Sequence, residues 1–181
     1  YVLAGSSVER AFRITNPSAL TLNIFGWTTN AAPDGAWSLG ALPASLAPGA
    51  TAVVTVTFSP AEVGSYTGEF QMENDSPVSP FVFNVAGSGY AMSGNSGPLA
   101  GGYFITVSNG HFGTITNVIV DGISVTPSAS GDDWFTIVMP AMASPGLKDF
   151  VIQTTTGDVV VSGAYTVNPA GQIGSITNDN T

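Results

Sequence analysis

From Ser45 to Phe70 the chain reads SLAPGATAVVTVTFSPAEVGSYTGEF, two alternating segments separated by a turn rich in Pro and Gly. Ala52, Val54, Val56 and Phe58 interleave with Thr51, Val53, Thr55 and Thr57. Tyr66, Gly68, Phe70 and Met72 interleave with Thr67, Glu69, Gln71 and Glu73. A period of two turns one apolar face toward a core and leaves the other to water, which predicts half-buried strands. The same reading predicts strands over 8–16, 20–28 and 81–85. On the first of these, Val8, Phe12 and Ile14 share a face opposite Glu9, Ala11, Arg13 and Thr15. No segment holds a helical period over ten residues.

Beyond residue 102 the β pattern resumes at 103–109, 115–122, 123–127, 134–140 and 148–167, with Thr156-Gly157 expected as a hairpin turn inside the last. Between the halves lies GSGYAMSGNSGPLAGG, residues 87–102. Its small residues and turn formers suit a connection between domains rather than a core. Many short strands separated by turn signals point to sandwiches. The expected architecture is all-β, with two tandem Ig-like β-sandwich domains: 1–89, a linker over 90–101, a second sandwich over 102–169, and 170–181 as a tail or the start of a further segment.

Composition narrows the function classes. Only 8% of the 181 residues are charged, against ~25% in ordinary soluble domains. Twelve acids face Arg10, Arg13 and Lys148, a net charge of −9. Nucleic-acid affinity is built mainly from Lys and Arg, so this balance excludes DNA and RNA as natural partners and disfavours anionic membranes. The absence of cysteine excludes disulfides and thiolate zinc sites. No run reaches the ~18 apolar residues of a membrane span. The chain starts at Tyr1 without methionine or a signal-like segment, as expected of a piece of something longer.

Residues 5–89 resemble the ASH/hydin-like family, Ig-like and related to the major sperm protein fold. FRITNPSALTLNI (12–24), SLAPGATAVVTVTFSPAEVGSYTGEF (45–70) and PFVFNVAGSG (80–89) carry the likeness. Members occur in cilium-associated eukaryotic proteins and in repetitive surface proteins. Residues 97–168 resemble an IPT/TIG domain, another Ig-like sandwich, through GPLAGGYFITVSNGHFG (97–113), ITNVIVDGISV (115–125), VMPAMASPGLKDFVIQT (138–154) and SGAYTVNP (162–169). Such domains occur in cell-surface receptors, secreted glucan-acting enzymes and some transcription factors. The DNA-reading version relies on basic loops, and this half has a single lysine.

Tyr66 stands where a tyrosine corner would tie a loop to a Greek-key strand, and Gly68 where an antibody domain would carry its second cysteine. The first sandwich is therefore expected to hold on Phe12, Trp27, Val54, Val56, Phe58, Phe70, Phe81 and Phe83.

Reactive candidates are few. His111, the one histidine, lies in the loop SNGHFG, and no G-x-S-x-G elbow is present. No catalytic residue and no resident cofactor is expected. Asp132-Asp133 and Glu73-Asn74-Asp75 offer oxygens to Ca²⁺, but neither has the spacing of a D-x-D-x-D-G loop, so a solvated turn is the plainer reading. The sequence TNDN at 177–180 could join a site at a domain junction. Trp37 and Trp134 are candidate sugar-stacking rings, while Trp27 suits the core. Asn74 heads the sole N-glycosylation sequon, with Pro77 behind it. Lys148 is expected at the surface, where an Ig-like cross-link to Asn would not form.

These readings converge on a non-enzymatic structural module of an extracellular filament, stalk or cell-surface appendage, whose partners are neighbouring copies or domains. Strand donation by the head YVLAGSS or the tail GQIGSITNDNT fits that picture. The alternatives are a carbohydrate-binding or adhesive module and a cilium-associated scaffold.

Overall fold

The computed structural model describes residues 1–32 and 35–171, and every regular element among them is a strand. By contact density the chain divides into two compact units, Tyr1–Ala91 with Ser108–His111, and Met92–Val107 with the residues from Phe112 on.

The first unit holds β1 (Val2–Leu3), β2 (Val8–Thr15), β3 (Leu22–Ala32), β4 (Trp37–Leu39), β5 (Ser45–Leu46), β6 (Thr51–Phe58), β7 (Gly64–Asn74) and β8 (Phe81–Met92). One sheet runs β2-β6-β4; the facing sheet runs β8-β7-β3-β5, with β1 laid parallel on β8. The alternation of β6 and β7 is realised residue by residue. Val54, Val56 and Phe58 from one sheet, and Tyr66, Phe70 and Met72 from the other, are buried between the layers. Phe58 meets Tyr66 edge to face at 5.4 Å and stacks on Trp37 at 4.3 Å. The Tyr66 hydroxyl donates to the Glu62 carbonyl at 2.8 Å and accepts from the Glu62 N–H at 3.3 Å, which is the expected tyrosine corner.

The glycines of the closing VAGSG motif have a steric cause. A Cβ on Gly87 would lie 2.7 Å from the Phe58 ring, and one on Gly89 would lie 2.5 Å from the Glu62 carbonyl. At Gly68, the absent side chain leaves room for the Trp37 indole, which a Cβ would approach to 3.3 Å.

The expected core of this unit needs correction at two positions. Phe12 is 42% exposed and Phe81 49% exposed. The physical reason is that β2 is an edge strand: Val8 and Ile14 near its ends pack against the core, while Phe12 between them and Phe81 across from it line a cleft between the layers. Arg10 belongs to that inward set with Val8, Phe12 and Ile14, and among the described residues no strand of this sheet lies beyond it.

The second unit holds β9 (Ser96–Pro98), β10 (Phe104–Ser108), β11 (Ile115–Val120), β12 (Ile123–Val125), β13 (Ala129–Ser130), β14 (Trp134–Val138), β15 (Gly146–Thr154) and β16 (Gly157–Asn168). Its five-stranded sheet runs β12-β11-β15-β16-β9, and β13, β14 and β10 follow one another in the other layer. Val107, Val118, Val120, Phe135, Ile137, Phe150, Ile152 and Tyr165 are almost wholly withdrawn from water. Asp121 and Gly122 both adopt positive φ, 51° and 82°, so the Val-Asp-Gly turn is a two-residue hairpin of the type matched to strand twist.

The second hairpin turn falls one residue before its expected place. Thr155 and Thr156 form the loop, and Gly157 opens β16. The Thr154 hydroxyl explains the shift, accepting from the Thr156 N–H and donating to the Gly157 carbonyl. Residues 87–102 carry strand structure of their own: β8 continues to Met92, β9 spans Ser96–Pro98, and the Tyr90 ring is buried.

Candidate functional site

A cleft of about 680 Å³ lies between the two sheets of the first unit. Ile14, Trp27, Val54, Val56, Met72 and Phe83 line its interior, and Phe12, Val78 and Phe81 form an apolar rim. Each wall follows from strand periodicity. Phe12 and Ile14 are inward positions of β2, Val54 and Val56 of β6, and Met72 of β7. Trp27 meets Phe83 at 5.5 Å and Phe70 at 6.4 Å, both near edge to face, so the floor is a rigid aromatic cluster. The Trp27 indole N–H is buried and finds no hydrogen-bond partner among the described residues.

Polar groups at one end of the cleft are held by their own network. Asn16 is buried, and its amide donates to the carbonyls of Leu20, Leu46 and Ala47, fixing the β2–β3 turn. β2 runs beside the cleft, with no strand among the described residues along its outer edge, and carries Glu9, Arg10 and Arg13, all exposed. Those two arginines are the chain's only ones.

The candidates from the sequence divide between the two units. Trp37 is half-buried in β4, one ring face covered by Phe58. Trp134, at the head of β14 in the second unit, is 37% exposed. Asp132 is exposed and Asp133 half-buried in the bend before it. Among the described residues, no three His, Cys, Asp or Glu side chains gather in a metal-holding arrangement. His111 is exposed in a loop, at φ 51°. Asn74 is 6% exposed, and the amide nitrogen that a glycan would need donates to the Met72 carbonyl at 2.9 Å. The TNDN segment lies outside the described residues.

Lys148 corrects the sequence reading. It is 5% exposed, with Nζ 2.7 Å from Asp121 Oδ2 and 3.1 Å from Ser144 Oγ. On β15 the buried positions are 148, 150 and 152, so Lys148 belongs to the inward set with Phe150 and Ile152. Deeper in this unit the Tyr103 and Tyr165 hydroxyls hydrogen-bond to each other. Burial, reinforced by that bond, pushes the Tyr165 phenol above its ordinary range.

The sequence reading missed the cleft and the charges beside it. Their signal was present in β2, where an arginine shares the inward face with three apolar residues.

No protein-family model matches the sequence, and no curated protein matches it. Among solved structures, the chain is similar to an ASH/PapD-like domain of human CEP192, with 15% identity over 49% of this chain and 75% of that one and a TM-score of 0.40. SSP-19, an MSP-domain protein of Caenorhabditis elegans, shows 7% identity over 49% of this chain and 91% of its own, with a TM-score of 0.34. The E. coli chaperone DraB shows 8% identity over 92% and 90%, with a TM-score of 0.37.

Proposed function

We propose that this chain is a non-catalytic packing module of an extracellular filament, stalk or cell-surface appendage, built from an ASH/hydin-like sandwich and an IPT/TIG-like sandwich. The observation that carries this reading is the apolar cleft of the first unit, rimmed by Phe12, Val78 and Phe81 beside a strand edge that no strand among the described residues pairs with. Contiguous apolar surface framed by polar groups marks an association site, and a free strand edge is a template for pairing with another chain. A surface poor in charge supports close packing of neighbours better than it supports a dispersed monomer.

Sedimentation velocity over a wide concentration range tests the reading, with electron microscopy of the concentrated sample. The expected result is reversible association that Phe81→Ser weakens. A monodisperse monomer at the highest concentration refutes it. The adhesive alternative rests on Trp134, the more open of the two candidate rings. Glycan-array binding that is lost in Trp134→Ala, with no self-association, favours that alternative instead.

A further inference from the structure

We infer that the occupant of the β2 edge is a second copy of this chain, with the two β2 strands pairing antiparallel across a two-fold axis through Ala11. The inference rests on the packing reading above and names its partner. β2 pairs with β6 along one edge, and among the described residues no strand of its sheet lies along the other. Backbone donors and acceptors on that side are therefore open to another strand.

The side chains select the partner. In an antiparallel pair centred on Ala11, Glu9 of each copy stands opposite Arg13 of the other, on the outer face. On the inner face Val8 stands opposite Ile14, and Arg10 opposite Phe12, a cation beside an aromatic ring. Directly opposed residues bring their Cβ atoms to ~4.5–5.5 Å, so each match is a contact rather than a distant attraction.

Neighbouring registers fail on the same criterion. A centre at Arg10 or at Arg13 sets like charges against each other. A centre at Phe12 leaves Glu9 opposite Thr15 and Arg13 opposite Ala11. A slip of one residue would put the inward set of one copy against the outward set of the other. Self-complementarity of this kind is what a two-fold interface demands, because one patch must serve as both halves.

The surroundings supply further area to bury. Phe12, Val78 and Phe81 are exposed around the cleft that β2 borders. The chain as a whole carries −9, so two copies repel unless cation and acid are matched locally. Both arginines lie on this strand, and Arg13 makes that match with Glu9 of the other copy.

Charge exchange tests the pairing on the full chain, by sedimentation with circular dichroism as a check on folding. Glu9→Arg places two arginines opposite each other, the new one facing Arg13 of the other copy. Arg13→Glu likewise places two glutamates opposite each other. Each variant alone should associate more than roughly tenfold more weakly than the parent, since two opposed pairs change sign. An equimolar mixture of the two should recover association, because every opposed pair is then unlike. The chain has no cysteine, so Ala11→Cys gives an independent readout. It should oxidise rapidly to a disulfide dimer at low concentration, whereas Thr15→Cys, distant from its own symmetry mate, should not.

Parent association that neither charge variant weakens overturns the β2 pairing and leaves the packing reading standing. A mixture that fails to recover, or equal cross-linking of the two cysteine variants, also overturns the pairing. A parent chain that stays monomeric removes both.

Discussion

The two units use the same alternation of apolar and polar residues and reach different degrees of closure. In the second, the inward positions of β11, β14 and β15 are almost completely buried. In the first, β6 and β7 are equally well buried, yet β2 leaves six of its eight residues exposed and borders a cleft of about 680 Å³. Alternation fixes which way a side chain points. Whether that direction ends in a core depends on what covers the neighbouring edge, and sequence periodicity carries little of that information.

The largest expected effect tests this contrast directly. Phe135→Ala empties a fully enclosed site in the second unit and should destabilise it by about 3–5 kcal/mol. Phe12→Ala removes the same ring from a half-open wall and should lower stability by less than about 1 kcal/mol, since the ring is already 42% exposed. Urea unfolding followed by tryptophan fluorescence resolves the units, because Trp27 and Trp37 lie in the first and Trp134 in the second. Similar losses from the two substitutions would show that the cleft closes in solution.

The second test concerns the one buried cation among the described residues. Asp121→Ala leaves the Lys148 ammonium enclosed without its carboxylate, and should destabilise by about 3 kcal/mol. Lys148→Met removes charge and demand together among Phe150 and Ile152, and should be near neutral. Equal effects from the two would mean that the ammonium reaches water readily. No comparable buried pair is found among the described residues of the first unit, so the difference between these variants is a property of the tighter sandwich.

Much of this was legible in the sequence. The strands, the tyrosine corner and the Asp121-Gly122 turn each follow from local chemistry that does not depend on distant residues. Lys148 was legible as well, because the period through Phe150 and Ile152 points it inward, although its charge argues for the surface. The exposure of Phe12 and Phe81 was not. It depends on there being, among the described residues, no strand on the side of β2 away from β6, a tertiary fact for which Arg10 on the inward face is the sole local sign. The covered face of Trp37 was equally hidden, since it requires knowing that Phe58 pairs opposite it.

A smaller effect probes how the first unit holds its shape without a disulfide. Tyr66→Phe keeps the ring against Phe58 and removes only the hydroxyl that bridges the Glu62 N–H and carbonyl. Loss of that tie should destabilise the first unit by about 1–2 kcal/mol and leave the second unit's transition unmoved. Hydrogen exchange at the Glu62 amide should accelerate in parallel. An unchanged midpoint would assign the corner's contribution to packing of the ring alone.

The smallest expected effect is a pH dependence at the turn end of the first unit. The Asn23 backbone N–H donates to Asp75 at 2.9 Å, and the Asn23 side-chain amide adds a second bond at 2.6 Å. Together they hold the Asp75 carboxyl below its ordinary value, the backbone bond contributing most. A carboxyl depressed on folding favours the native state while ionised. That contribution is present above the unfolded value of ~3.9 and disappears as pH falls through the lower native value. The group lies at the surface, so solvent and salt screen the effect strongly. The melting temperature of the parent chain should therefore fall slightly more than that of Asp75→Asn when the pH is lowered through the carboxylate range, and added salt should narrow the gap. Identical pH profiles would show that the Asn23 bonds bind the neutral and charged carboxyl equally, and that the β3–β7 margin of the open sandwich is held by its backbone ladder alone.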